Sequence, residues 1–178
     1  MTNNNMPYVY FDIQANQAMN FNPSLFGTGA QEKTRPLIQN DMSVISGLFS
    51  GFRHGAVFKL ADGTYWLQVD DQVLHHHSMN PACNIHTMDD GQFLQVDGID
   101  GMVLVHPLRQ VIESHIKGKF TGWTGKSTYQ LTNGQTWQQA KFLKKYVVRY
   151  MPEVLVYTTM HGTLMQVAGT TVNVRQIG

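Results

Sequence analysis

The chain has 178 residues, 42% hydrophobic and 14% charged, with a formal net charge of +1. Charge falls below the usual ~25% of residues, yet the chain is too apolar to be disordered, so a folded protein with a weakly charged polar surface is expected. Cys83, the single cysteine, excludes an intrachain disulfide. No apolar run approaches the ~18 residues of a membrane span, and MTNNNMPYVYFDIQ has neither the basic nor the apolar region of a secretory signal. A soluble, cytoplasmic protein is the expectation.

Residues 1–43 read as an N-terminal arm rich in Asn and Gln, with NPSLFGTGAQEKTRP as loop. Within it, PYVYFDI alternates β-prone residues. Tyr8–Ile13 is read either as a strand able to pair with an exposed sheet edge, or as part of a disordered tail.

From residue 44 onward the chain repeats itself, and repeats decide a fold before anything else does. At an ungapped offset of 71, Ile45 meets Ile116, Gly51 meets Gly122, Leu60 meets Leu131 and Gly63 meets Gly134. Trp66 then meets Trp137, Gln68 meets Gln139, Pro81 meets Pro152, Gly98 meets Gly169 and Val103 meets Val174. The reading is one copy over 44–107, a linker over 108–114, and a second copy over 115–178.

Each copy reads as short strands. GLFSGF and GKFTGW set glycines among aromatics, which suggests a tight bend or a close backbone approach. FKLADGTYW and YQLTNGQTW place Asp-Gly or Asn-Gly between β-prone flanks, predicting hairpins with type I′ turns. VLHHHSM and KKYVVRY predict the next strands, followed after each proline by ACNIHTM and EVLVYTT. The last hairpins are FLQVDG–MVLV and LMQVAG–VNVR. Only Val111–His115, in the linker, could take a helical turn. Short strands with turn signals every 8–12 residues predict an all-β protein, a tandem repeat of two small SH3-like β-barrels behind an extended arm.

The pattern G-x-F-x-G-(F/W)…L-x-(D/N)-G-x-x-W-x-Q…P…V…G…V-x-G…V resembles a small domain of bacterial proteins of unassigned function. LTNGQTWQQ, with Pro152, Val167 and Val174, carries the likeness best, whereas the first copy departs from it at Tyr65-Trp66-Leu67 and in its His-rich segment. The resemblance implies a small β-barrel, and it brings no activity and no site residues.

Several segments hold residues of the kind that do chemistry. DDQVLHHH offers Asp70, Asp71, His75, His76 and His77, and on a strand His75 and His77 would share a face as half of a metal site, since zinc takes three or four ligands. Their counterparts Tyr146 and Val148, like Tyr157 opposite His86, are β-prone side chains, which favours packed or half-exposed structural histidines over metal ligands. A pH response is a further reading. KFLKKYVVRY interleaves Lys141, Lys144, Lys145 and Arg149 with Tyr146 and Tyr150, the charge-plus-ring pattern of single-stranded nucleic-acid grooves. Read as a strand, its even positions (Phe142, Lys144, Tyr146, Val148, Tyr150) form one face and its odd positions the other; the plainer reading packs one face and solvates the cations. A nucleic-acid surface would also need Lys117, Lys119 and Arg175 on the same face.

Thr124-Gly125-Lys126-Ser127 resembles the end of a phosphate loop but lacks the earlier glycine and the following helix. Cys83 aligns with Val154 and reads as a core residue, and Trp66 and Trp137 read as core anchors. No carboxylate pair recurs in both copies, and neither a catalytic residue nor a cofactor motif is evident. Charge divides sharply: residues 44–107 hold two cations against seven aspartates, whereas 115–178 hold eight cations against Glu153. An acidic and a basic half can associate head to tail. The leading expectation is a non-enzymatic protein-binding or self-assembly module; the alternative is nucleic-acid binding through the basic strand of the second copy. No membrane contact and no small-molecule substrate are expected.

Overall fold

The computed structural model describes residues 42–178, all within one compact unit spanning Leu37–Gly178. The arm strand expected at Tyr8–Ile13 lies outside the described residues. Everything described is strand, turn or loop, and among the described residues no helix is long and apolar enough to cross a membrane.

Eight strands come from the first half: β1 (Met42–Val44), β2 (Leu48–Phe49), β3 (Val57–Lys59), β4 (Tyr65–Gln68), β5 (Ser78–Met79), β6 (Ala82–Met88), β7 (Gly91–Val96) and β8 (Val103–Leu108). Eight more follow: β9 (Ile112–His115), β10 (Lys119–Thr124), β11 (Thr128–Gln130), β12 (Thr136–Gln139), β13 (Lys144–Tyr150), β14 (Glu153–Thr159), β15 (Gly162–Val167) and β16 (Thr170–Gln176). The first six-stranded sheet runs β1-β6-β7-β8-β4-β3 and the second β9-β14-β15-β16-β12-β11, each accompanied by a two-stranded ribbon, β2-β5 or β10-β13. Both sheets curl until their outermost strands meet, at an Ile45–Leu60 bridge in one and an Ile116–Leu131 bridge in the other.

Burial follows strand alternation, since successive side chains point to opposite faces. Phe49, Phe52 and Phe58 cluster in the first core with centroids 5.3–6.1 Å apart, and Phe120, Trp123 and Tyr129 hold the corresponding places in the second at 5.1–5.6 Å. Cys83 is buried in the first core, as Val154 is in the second. Trp137 is buried and Trp66 half-buried; each indole N–H donates to the side chain two residues earlier, Gln135 or Thr64. The close approach expected at the glycines is present. A Cβ on Gly51 would fall on the Leu74 carbonyl oxygen and one on Gly122 on that of Lys145, and both residues have positive φ, +87° and +99°.

Four expectations need correction. The hairpins at Asp62-Gly63 and Asn133-Gly134 are not type I′, because only the glycines take positive φ, +83° and +91°. The loop is one residue longer: Gly63 N–H donates to Leu60 O and Leu60 N–H to Thr64 O, a type I turn closed by a glycine bulge. Asp62 Oδ1 accepts the Thr64 N–H at 2.8 Å and so holds the turn. Second, Ile112–His115 is strand β9, paired with β14, and not a helical linker; only residues 109–111 separate β8 from β9. Third, the ungapped offset fails in the last strand. Leu94 pairs with Val103, but its counterpart Met165 pairs with Val172, so Val103 corresponds to Val172 and not to Val174. The loop from Asp97 to Met102 is longer than the Ala168-Gly169 turn, and the resulting two-residue slip leaves every side chain on its original face.

The fourth correction concerns VLHHHSM, which is not a continuous strand. Leu74 makes a single bridge to Phe52, Ser78–Met79 pair with β2, and His75–His77 between them are irregular. All three histidines are exposed, although the His76 ring lies 6.1 Å from that of the buried Phe49.

Candidate binding surface

The ribbon formed by β10 and β13 stands out from the second core. β10 packs Phe120 and Trp123 inward, and Gly122, at φ +99° between them, lets two aromatics of opposite strand parity reach the same core. β13 pairs antiparallel with β10 from Lys119↔Tyr150 to Thr124↔Lys144, and a register shift between Phe120 and Gly122 marks a bulge over Val147–Val148. Leu143 and Val147 are the members of this segment that pack against the core.

The even-numbered face is solvent-exposed. Phe142, Tyr146 and Tyr150 are 76%, 81% and 79% exposed. Large exposed apolar patches, unlike single exposed side chains, mark recognition sites. Cations lie among the rings. Lys144 Nζ sits 5.7 Å from the Phe142 ring centroid, within cation–π range. Lys119 is directly opposite Tyr150 across the ribbon. Lys145 Nζ donates to Thr170 Oγ1 at 2.7 Å and Arg149 Nη1 to the Val148 carbonyl at 2.8 Å. Among the described residues none of these cations has a carboxylate partner, and no strand pairs with the outer edge of β13.

The ribbon brings together Lys144, Lys145, Tyr146, Arg149 and Tyr150, with Lys141 exposed in the preceding loop. Lys117 is exposed just before β10. Arg175 does not join them: it lies on β16, where its Nε donates to Gln138 Oε1 at 3.0 Å. Phe142, expected on the even-numbered face, and Lys119, expected to join the cations, both belong to the surface. Phe142 shares the strand parity of Tyr146 and Tyr150, a usable signal, whereas Lys119 is placed only by the cross-strand register.

A buried glutamine in each half anchors the loop that leads to this region. Gln139 is 5% exposed and Gln68 fully buried. Gln139 Oε1 accepts the Gly125 N–H at 2.9 Å, while Nε2 donates to the carbonyls of Lys141 (3.0 Å) and Leu143 (2.9 Å). These bonds tie down the Lys141–Leu143 loop and hence the start of β13. They also occupy Gly125 of the phosphate-loop look-alike, whose Ser127 Oγ lies 2.7 Å from Thr124 Oγ1.

The equivalent region of the first half is chemically different. Val73, Leu48 and Met79 are exposed beside His75–His77, where the second half has Lys144, Lys119 and Tyr150. His54 Nδ1 faces Asp71 at 3.3 Å, and His86 Nε2 lies 2.9 Å from Gln95 Oε1. Among the described residues no three His, Cys, Asp or Glu side chains gather as a metal site, so His75 and His77 gain no third ligand there.

No family model, curated protein or solved structure matches the chain. The likeness to the bacterial β-barrel domain rests on its motif residues alone.

Proposed function

We propose that the chain is a non-enzymatic protein-binding and self-assembly module, built from two SH3-like barrels in tandem, with the β10–β13 ribbon as its contact face. One observation carries this reading: Tyr146 and Tyr150 stand in solvent on a strand whose outer edge is unpaired among the described residues, with Phe142 exposed in the loop just before it. Tyr and Arg dominate interface hot spots, and an open strand edge accepts an added strand.

Charge supports association between copies. Asp70 accepts the Leu104 N–H, and Gln72 reaches the Met102 carbonyl, so the Asp70-Asp71 segment lies against the start of β8, just after the loop bearing Asp97 and Asp100. The corresponding segment of the second half carries Lys141, Lys144 and Lys145, with Lys145 bonded to Thr170 just after the equivalent turn. The acidic end of one molecule and the basic end of another are therefore complementary, a heterologous contact that propagates.

Light scattering across a salt series tests this. Oligomers at low salt that dissociate at high salt, and that are lost in a Lys144→Glu/Lys145→Glu variant, are the expected result. A sharp monomer at low salt would count decisively against self-assembly. The alternation of rings with cations favours a second reading, single-stranded nucleic acid. A fluorescent oligothymidylate titrated at rising salt separates the two, because phosphate contacts weaken steeply with salt while the protein stays monomeric.

A further inference from the structure

A cleft of about 850 Å³ opens between the two halves, and no residue of the exposed ribbon lines it. Its walls come from the loop after β2 and the ends of β4 and β8 on one side, and from the β14–β15 turn with β15 and β16 on the other. Its volume is that of a small-molecule site, since such pockets span ~300–1,000 Å³. Leu67, Leu108 and Leu164 supply apolar wall, with Met160 at the rim.

The polar groups in the cleft are one-sided. Arg53 and Arg109 line it, with His54, His106 and His161, and no Asp or Glu is among its lining residues. Neither arginine has a carboxylate partner among the described residues. His54 turns Nδ1 toward the Asp70 carbonyl and the Asp71 carboxylate, at 3.2 and 3.3 Å, leaving Nε2 without a partner among the described residues. Thr158, Thr159 and Thr171 also line the cleft, with Thr159 Oγ1 donating to the Gly162 carbonyl at 3.3 Å and Thr158 Oγ1 lying 3.2 Å from Thr163 Oγ1. In the acidic half of the molecule, whose only cations are Arg53 and Lys59, Arg53 is spent on this cleft.

The cleft is also braced. Residues 109–111 are all that separate β8 from β9, Gln110 holds a positive φ of +57°, and Lys59 of β3 bonds both carboxylate oxygens of Glu113 in β9 at 3.0 and 2.8 Å. A non-glycine residue in that region persists only when its surroundings over-determine it. A short connection and a cross-half ion pair thus link the two halves.

We propose that this cleft binds a small amphipathic organic anion, an apolar body carrying one acidic head group, with Arg53 and Arg109 receiving the head and the leucines receiving the body. Arginine's planar fork is suited to carboxylate, sulfonate and phosphate alike. This site is independent of the ribbon and of the protein-binding reading.

Fluorescence titration of the full chain with 8-anilinonaphthalene-1-sulfonate tests the proposal. Saturable one-to-one binding is expected, weakened about tenfold or more in Arg53→Gln/Arg109→Gln, the scale of losing a charge-assisted hydrogen bond. Thr171→Glu, which brings a carboxylate into the cleft, weakens it comparably, and the uncharged analogue N-phenyl-1-naphthylamine binds more weakly than the sulfonate. A Phe142→Ser/Tyr146→Ser/Tyr150→Ser variant retains full dye affinity, which excludes the exposed rings as the dye's site. Octanoate and octyl phosphate compete with the dye, and the stronger competitor identifies the head group. Absence of saturation, unchanged affinity in both the arginine and the Thr171 variants, loss of binding in the ring variant, or failure of both competitors would each overturn the proposal.

Discussion

Gln68 and Gln139 stand 71 residues apart and perform the same task, each burying a side-chain amide that captures a backbone N–H and a carbonyl four residues ahead. Loops carry backbone polar groups that must find partners, and here one buried side chain supplies them. Gln139→Leu leaves the Gly125 N–H and two carbonyls short of their partner. The expected loss is roughly 3 kcal/mol or more, at ~1–3 kcal/mol for each buried group left unmade, read as a lower urea midpoint with unchanged slope.

Gly122 is the second point on which the ribbon depends. Gly122→Ala places a methyl on the Lys145 carbonyl oxygen at a φ of +99°, and the conformation alone costs an L-residue about 1–2 kcal/mol. β13 is expected to peel from β10, measured as faster hydrogen exchange of the Lys144–Tyr150 amides. If the ribbon is the contact face, assembly is lost along with it.

The Lys59–Glu113 pair makes stability depend on pH at both extremes. The Lys59 ammonium, then the Tyr65 hydroxyl, hold the Glu113 carboxyl below its ordinary value of 4.5. Its contribution is therefore present above that value and is lost as pH falls through the lower folded one. Glu113 in turn raises Lys59 above 10.5, so that contribution is present below 10.5 and is lost as pH rises through the folded value. Both groups are largely solvated, which limits the pair to under about 1 kcal/mol. Glu113→Gln should lower the urea midpoint slightly at neutral pH and match the wild type in strong acid.

Cys83 is buried, and that burial, aided by the charge of Asp62, pushes its thiol up to about 11. The thiolate is the reactive species, so labelling by a disulfide reagent at neutral pH is expected to be slow in the native protein and to accelerate with unfolding in urea. Cys83→Val, which installs the residue found at the equivalent core position in the second half, is expected to change stability by less than about 1.5 kcal/mol. Rapid labelling without denaturant would contradict the burial.

The sequence by itself determined the all-β class, most of the strands flanking each glycine and proline, the burial of Cys83, and the alternation of KFLKKYVVRY into two faces of which one packs. These follow from local chemistry: strand period, turn residues, and glycines where another backbone must pass. Tertiary structure alone decided the rest. A two-residue slip in β8 against β16 preserves facing, so no hydrophobic pattern could have reported it. His75–His77 are β-compatible letters, yet they interrupt a strand because their ribbon pairs only at its ends. The open edge of β13, the opposition of Lys119 to Tyr150 and the cation-lined cleft arise from segments distant in the chain, and only packing decides which edges and which charges are left to solvent.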